Sequence, residues 1–236
     1  GTAGADVVSL YGASDVVFDA LTGDAIFGGT GGDTMLFTGS VVSSSVNAGS
    51  GSDSIVMSGT GPSSAMSGNS IELGTGVDTL LFTTATTNDT VTVSNTSITG
   101  AKNITYQDTA LGAAITTGSG ADLVVFQDLA SNLSAISTNS GNDSIQFLGA
   151  AYVTGDVDMG IGADSIYATN LISGAGEISG GAGADTFLLS TLSDTAIYGG
   201  NDKDSVNITG SLYGSTVDFG AGNEAFTLSV GSTNST

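Results

Sequence analysis

The chain has 236 residues, of which 23 are Asp or Glu and two are Lys or Arg, so its formal net charge is −21. This charge repels nucleic acid phosphates and anionic membranes, which leaves inorganic cations as the expected counterions, and no apolar run approaches the ~18 residues of a membrane-spanning helix. Gly supplies 37 residues and Cys, Trp and His none, yet 39% of the residues are hydrophobic, which argues against disorder.

From its N terminus onward the chain repeats a unit of roughly 20 residues. Each unit has an apolar β-branched residue seven positions before a turn residue, as at Ile178, and apolar residues two and four positions after it, as at Ile145 and Phe147. This alternation predicts two strands joined by a glycine-rich turn. The turn residues fall at Asp6, Asp33, Asp53, Asp78, Lys102, Asp122, Asp143, Asp164, Asp185, Asp204 and Glu224.

Stacking these units in register, ~4.8 Å apart, predicts an all-β protein. The expected fold is a single parallel β-solenoid (a β-roll or β-helix) of about eleven coils of roughly 20 residues, continuous over 1–236. Each coil is expected to have two strands and a Ser-, Thr- and Ala-rich return, with only small residues between the strands. Because the chain begins inside a repeat and finishes just after a strand, we expect a fragment of a longer protein or a unit that stacks end to end. Four leucines of the return are predicted to turn inward: Leu129, Leu171, Leu192 and Leu212.

The turn residues predict a column of carboxylates ~5 Å apart along one edge, whose mutual repulsion must be neutralised. Gly two and four residues earlier permits left-handed turns and exposes carbonyl oxygens, and carboxylate and carbonyl oxygens are the ligands that calcium prefers. Two alternatives are that each Asp satisfies only its own turn, or that the acids reflect adaptation to high salt. The salt alternative does not explain why so many acids share one repeat position. Other acids, including Asp15, Asp19 and Asp24, are interpreted as solvated surface.

Two stretches, GGTGGDTML at 28–36 and GGAGADTFL at 180–188, resemble the G-G-x-G-x-D-x-U-x nonapeptide of RTX (repeats in toxin) proteins. The resemblance implies a β-roll whose calcium ions are held by the repeat aspartates and by turn carbonyls, here on one edge only. Complete G-x-G-x-D cores carry this role to Asp33, Asp53, Asp78, Asp122, Asp164 and Asp185, and one element has changed at Asp6, Asp143, Asp204 and Glu224. The turn glycines assigned to the sites are Gly29, Gly31, Gly49, Gly51, Gly118, Gly120, Gly160, Gly162, Gly181 and Gly183.

The resemblance also implies a function: a structural, extracellular, calcium-stabilised repeat domain of a bacterial surface-layer or other cell-surface protein, exported by type I secretion. Self-association into a lattice or filament is expected, with neither nucleic acid binding nor membrane insertion. An alternative is an adhesin or ice-binding module with a flat Thr or Asn face, although the mixed apolar column that includes Leu36 and Tyr167 favours packing against protein. A polysaccharide-acting enzyme has least support, because the chain lacks His, Cys and Arg, so no catalytic residue is predicted.

Lys102 is the one break in the acidic column. Aligning Ile104 with the first strand position places Lys102 where the other coils have Asp. We predict that its ammonium group lies between the carboxylates of Asp78 and Asp122 and replaces a metal ion with an ion pair. The alternative is that residues 83–114 bulge outward and leave Lys102 in solvent.

Overall fold

The computed structural model describes residues 5–59, 66–84, 86–87, 90–92, 102–229 and 232–233. Over these residues every coil contributes one short strand to each of three sheets, which we name A, B and C. Each sheet has 11 strands within the described ranges, and each strand pairs in parallel with the strands of the preceding and following coils. The prediction of an all-β parallel solenoid is confirmed. No helix among the described residues has the length and apolar character needed to cross a membrane.

Sheet A lies before the glycine-rich turn and presents the predicted β-branched column to the interior. Ile26 pairs with Val46, and both side chains are buried, because a branched side chain packs well on the pleated surface between two neighbours. The strands of sheet A are β1 (Val7–Ser9), β4 (Ala25–Phe27), β7 (Ser45–Asn47), β10 (Ser70–Glu72), β13 (Thr90–Thr92), β16 (Ala114–Thr116), β19 (Ala135–Ser137), β22 (Val157–Asp158), β25 (Glu177–Ala182), β28 (Ala196–Asn201) and β31 (Thr216–Asp218).

Sheet B follows the glycine-rich turn and buries two residues per strand, such as Met35 and Phe37. These are the two apolar positions predicted after each turn residue. The strands of sheet B are β2 (Asp15–Phe18), β5 (Thr34–Phe37), β8 (Ser54–Met57), β11 (Asp78–Phe82), β14 (Lys102–Tyr106), β17 (Leu123–Phe126), β20 (Ser144–Phe147), β23 (Ser165–Ala168), β26 (Thr186–Leu189), β29 (Ser205–Ile208) and β32 (Ala225–Leu228).

Sheet C was not predicted, because most of its strands are two residues long and bury one side chain, too few to produce a readable alternation. Leu192 and Leu212 are buried as predicted. The prediction is wrong for Leu129 and Leu171, which are 41% and 40% exposed because the next residue in each coil takes the inward position. The strands of sheet C are β3 (Leu21–Thr22), β6 (Val41–Val42), β9 (Met66–Ser67), β12 (Thr86–Thr87), β15 (Ala110–Leu111), β18 (Ala130–Leu133), β21 (Ala151–Val153), β24 (Ile172–Ser173), β27 (Leu192–Ser193), β30 (Leu212–Tyr213) and β33 (Ser232–Thr233).

The interior holds larger side chains than a flattened two-strand coil would allow. Phe82, Tyr106, Phe126 and Phe147 come from four successive coils and are almost fully buried. Their rings stack at centroid distances of 4.5, 5.1 and 5.2 Å. The expectation that only small residues fit inside is therefore wrong, because a third sheet widens the cross-section.

We expect Phe126→Ala to lower the free energy of unfolding by about 3–4 kcal/mol, because it removes two ring stacks and leaves a cavity in a closed core. Tyr152→Ala is the matched control: Tyr152 is 44% exposed on sheet C, so its loss should cost about 1 kcal/mol or less. Urea denaturation of the two variants gives both values. Equal costs would show that the buried, stacked ring stabilises the protein no more than an exposed one.

The first coil corrects the register of the acidic column. Because β1 pairs with β4, Asp6 aligns with Asp24 and not with Asp33. Ser14 is the residue before β2, and its backbone N–H donates to Asp33 Oδ1. The assignment of Asp6 to the column is therefore wrong: GAD at residues 4–6 imitates the turn motif but precedes a strand of sheet A, and Ser14 begins the column.

Candidate metal centre

The column residues lie at the end of the turn between sheets A and B, directly before or at the start of each sheet B strand. From Asp33 to Asp204 their side chains point into the solenoid and not outward to solvent, with relative exposures between 0 and 3%, while Ser14 at the start of the column is half-buried. Glu224, in the last of the eleven coils, is half-buried. The buried members are Asp33, Asp53, Asp78, Lys102, Asp122, Asp143, Asp164, Asp185 and Asp204.

One oxygen of each column carboxylate joins two coils. Asp164 Oδ1, for example, accepts a hydrogen bond of 2.7 Å from the backbone N–H of Asp143, one coil earlier. The same bond, at 2.7–2.9 Å, reaches the Oδ1 atoms of the other column aspartates. A carboxylate here serves the neighbouring coil, so the alternative in which each Asp satisfies only its own turn does not describe the geometry.

The second oxygen of nearly every column carboxylate is buried and has no hydrogen-bond donor. A buried, unpaired carboxylate oxygen is costly, so such a group must either take up a proton or find a cation. Burial accordingly raises the pKa of Asp143 to about 7 and the pKa values of Asp53 and Asp185 to about 6. The atoms without a donor are Oδ2 of Asp33, Asp53, Asp122, Asp143, Asp164, Asp185 and Asp204, and Oε1 of Glu224.

Two threonine hydroxyls lie near the column but donate no hydrogen bond to the second oxygens of its carboxylates. Thr117 Oγ1 donates to the carbonyl oxygen of Thr138, and Thr138 Oγ1 donates to that of Met159. Their proximity to Asp122 and Asp143 opposes part of the rise in pKa that burial causes at these two carboxyl groups. Because each hydroxyl has a single hydrogen and gives it to a backbone carbonyl, the second oxygens of both aspartates remain without a donor.

Asp78 is the exception, because Lys102 satisfies its second oxygen. Strand β14 pairs in register with β11, which places Lys102 opposite Asp78. Lys102 Nζ lies 2.5 Å from Asp78 Oδ2 and 2.6 Å from the carbonyl oxygen of Gly76, and both charged side chains are fully buried. The outward bulge is therefore wrong for residues 102–114; residues 85, 88–89 and 93–101 of that stretch lie outside the described part of the chain.

The ammonium of Lys102 marks where a cation fits in this turn: between a column carboxylate and the carbonyl of the residue two positions earlier. The predicted Gly31, Gly51, Gly120, Gly162 and Gly183 occupy that carbonyl position in their own coils. The carbonyls four positions before the column are already used by the backbone: Gly29 O accepts from Ser50 N–H and Gly160 O from Ala182 N–H. A second lone pair remains on each of them.

Backbone contact between coils favours glycine at these two positions, although Asn139 and Asp202 take them in two coils with φ of +63° and +76°. Gly181 and Gly183 have φ of +98° and +124°. A Cβ atom on them would lie 2.1 Å from Gly160 O and 1.7 Å from Gly162 O. All the predicted turn glycines share positive φ except Gly118.

Gly183→Ala should therefore destabilise the protein by more than about 3 kcal/mol, since it adds a backbone clash to an unfavourable φ. Gly23→Ala is the control, because Gly23 has φ +71° but no atom within 4 Å of its Cβ position, so only ~1 kcal/mol of conformational cost remains. Thermal melts of both variants in calcium measure the difference. Similar losses of stability in the two variants would mean that the stacked turns accommodate the added Cβ atom without strain.

The carboxylate and carbonyl groups at this site offer oxygen atoms as metal ligands, which suits a hard cation such as calcium. No group of three or more His, Cys, Asp or Glu side chains converges on a metal position within the described residues. Calcium ions bound one above another along the column would form what we call the calcium ladder. Each ion would be held by carboxylates of adjacent coils, by turn carbonyls and by water. The orphaned oxygens fit that role, and the space beside Asp185 Oδ2 is kept open by Gly180, whose Cβ would come within 2.4 Å of it.

Asp24 shows how a buried carboxylate is satisfied without a cation. Its expected place on the solvated surface is wrong, because it is buried in the turn between sheets C and A. Asp24 Oδ1 accepts from Asp6 N–H and Oδ2 from Thr22 N–H, and these bonds lower its pKa. Small polar residues recur nine positions before the column, as at Ser44 and Asn69, and this pattern was the available signal.

Comparison with known proteins supports the fold. No protein-family model matches the chain, and no curated protein matches it. A solved structure does: the crystal structure of a hyperactive, Ca2+-dependent, β-helical antifreeze protein from an Antarctic bacterium, with a TM-score of 0.60 and 17% identity, covering 94% of this chain and 83% of that one. At this identity the likeness establishes the β-helical architecture and nothing about the activity.

Proposed function

We propose that the chain is a calcium-stabilised structural β-solenoid of an extracellular bacterial protein, in which calcium ions fill the column between sheets A and B. The observation that carries the proposal is the row of buried carboxylate oxygens without donors, which among the described column carboxylates is interrupted only at Asp78, where Lys102 supplies a cation. Calcium would supply charge neutralisation and coordinate the carboxylate and carbonyl oxygens of adjacent coils. The net charge of −21 on the chain favours such binding.

A calcium requirement also fits an extracellular location. Cytosolic calcium is too scarce to fill weak sites that two stacked coils must complete, whereas external calcium at millimolar concentration would fill them after export. Folding would then be coupled to secretion, as the resemblance to RTX repeats implies for type I export. The calcium dependence of the similar antifreeze protein is consistent with this proposal.

Within this class we favour a surface-layer or other cell-surface scaffold that associates with itself. Sheet B presents a mixed outward column, in which Val17, Tyr167 and Leu188 are 66%, 39% and 37% exposed. Exposed apolar side chains on the outer face of a sheet suit contact with protein. Catalysis is not proposed, since the chain has neither His nor Arg and the buried carboxylates are assigned to the ladder.

Ice binding is the second candidate, because the structural neighbour is an antifreeze protein. A surface that binds ice needs a regular array of outward Thr or Asn. The outward residue three positions before the column breaks such a regularity, changing from Thr30 and Ser50 in early coils to Ile161 and Ala182 in later ones. This irregular column favours the scaffold.

The two candidates are separated by one sample measured in two ways. The chain is refolded in millimolar calcium, its assemblies are imaged by electron microscopy, and its thermal hysteresis is measured in the same buffer. The scaffold predicts calcium-dependent sheets or filaments without hysteresis. Thermal hysteresis from a protein that stays monomeric would overturn the scaffold in favour of ice binding.

A further inference from the structure

We infer that Lys102 is a permanent cation built into the ladder, which replaces one bound metal ion and divides the column into two separate metal-binding segments. The first segment contains Asp33 and Asp53, and the second runs from Asp122 to Glu224. The inference rests on the proposed calcium ladder. We call the space between the column residues of two adjacent coils a level, and the inference adds which level needs no metal ion.

The first step concerns burial. Lys102 Nζ has no access to solvent, and a buried ammonium is destabilising unless oxygen acceptors surround it. Its two acceptors are a column carboxylate, Asp78 Oδ2, and a turn carbonyl, Gly76 O. Those are the two kinds of oxygen that the other coils direct at the same level of the turn.

The second step is the exception that Lys102 creates. Among the described column aspartates, Asp78 is the one whose second oxygen has a donor. The backbone of this coil otherwise behaves like the rest, since Lys102 N–H donates to Asp122 Oδ1 at 2.7 Å. The column is therefore continuous in its backbone bonding and discontinuous in its need for a cation.

The third step is electrostatic. With Nζ 2.5 Å from Asp78 Oδ2, a divalent ion at this level would meet a positive charge at contact distance. Lys102 also removes one carboxylate from the next level, which leaves Asp122 without an acidic column partner from the preceding coil. Both levels that adjoin Lys102 are thus disfavoured for calcium, while pairs such as Asp143 and Asp164 keep two carboxylates.

The other lysine provides an internal control. Lys203 precedes the column residue Asp204 but its side chain is exposed. Substitution at either site changes the same charge, so a difference between them reports the place in the ladder and not the net charge. Only these two lysines occur in the chain, which makes each one separately measurable.

The test counts calcium ions bound per chain, by equilibrium dialysis and native mass spectrometry, for the wild type, Lys102→Asp and Lys203→Asp. We expect Lys102→Asp to bind one or two more calcium ions than the wild type and Lys203→Asp to bind the same number. A wild type that binds no calcium contradicts the proposed function itself. Calcium binding by the wild type with no gain in Lys102→Asp overturns only the inference about Lys102.

A second measurement does not depend on the variants folding. The calcium-loaded wild type is treated with acetic anhydride, and the modification of each lysine is followed by peptide mass spectrometry. Burial of Lys102 against Asp78 predicts modification at least ~100-fold slower than that of Lys203. Equal rates would place the ammonium of Lys102 in solvent and overturn the inference.

Discussion

In excess chelator at neutral pH the chain should lose most of its β circular dichroism signal, and it should regain that signal cooperatively between micromolar and millimolar calcium. In the part of the chain that the structure describes, seven buried aspartate oxygens have no donor, and strand stacking spaces successive carboxylates by only ~5 Å. Without a counterion each adjacent pair adds repulsion inside a low-dielectric column. Because each level is completed by two coils, one bound ion orders the next level, which makes the transition steep.

Magnesium is the control for this prediction. It requires compact octahedral geometry and releases its water reluctantly, so it should restore structure only at much higher concentration than calcium. Titrations with both ions are followed at the same wavelength. A β spectrum that is unchanged in chelator would contradict the dependence of the fold on bound calcium.

The second large effect is an inverted pH dependence. In chelator we expect the protein to be more stable near pH 5 than near pH 8, by on the order of 5 kcal/mol. Burial raises the pKa values of Asp53 and Asp185 to about 6 and of Asp143 to about 7, from an ordinary value of 3.8. A carboxyl group with a raised pKa binds its proton more tightly when folded. Its stability contribution is present at low pH and is lost as the pH rises from about 4 to about 7.

Calcium should reverse that dependence, because it binds the ionised form and releases the proton. Asp143→Asn isolates the effect at one level. The amide oxygen can still accept from Asp122 N–H, but no charge remains to be neutralised. The variant should be more stable than the wild type in chelator at about pH 8 and less stable in calcium. The β circular dichroism signal followed across pH in chelator, together with thermal melts in calcium, tests this, and a wild type whose β signal in chelator rises toward pH 8 would contradict it.

The repeat period made the solenoid and its column predictable. Inward apolar residues such as Ile26 and Phe147 stand at fixed distances from the turn, and they alternate with outward residues along each strand. Sheet C could not be predicted from the sequence, since one inward residue per short strand produces no periodic pattern. The sequence also placed Lys102 in the column, but only the register of β14 with β11 decided between a buried ion pair and a solvent-exposed bulge.

The candidate site was likewise predictable from the sequence only in part. The spacing of Gly and Asp predicted a column of carboxylates, which the structure brings together, but not that one oxygen bonds the preceding coil while the other has no donor. That difference depends on side-chain rotamers within stacked turns, which no linear pattern encodes. The same limit explains Asp24, whose two backbone donors come from separate coils.

The central claim, that calcium completes the buried column, is tested most directly by anomalous diffraction from crystals grown in calcium. The account predicts calcium peaks in contact with the second oxygens of column aspartates such as Asp143, Asp164 and Asp185, and none between Asp78 and Lys102. Maps without calcium in contact with any column carboxylate would contradict it.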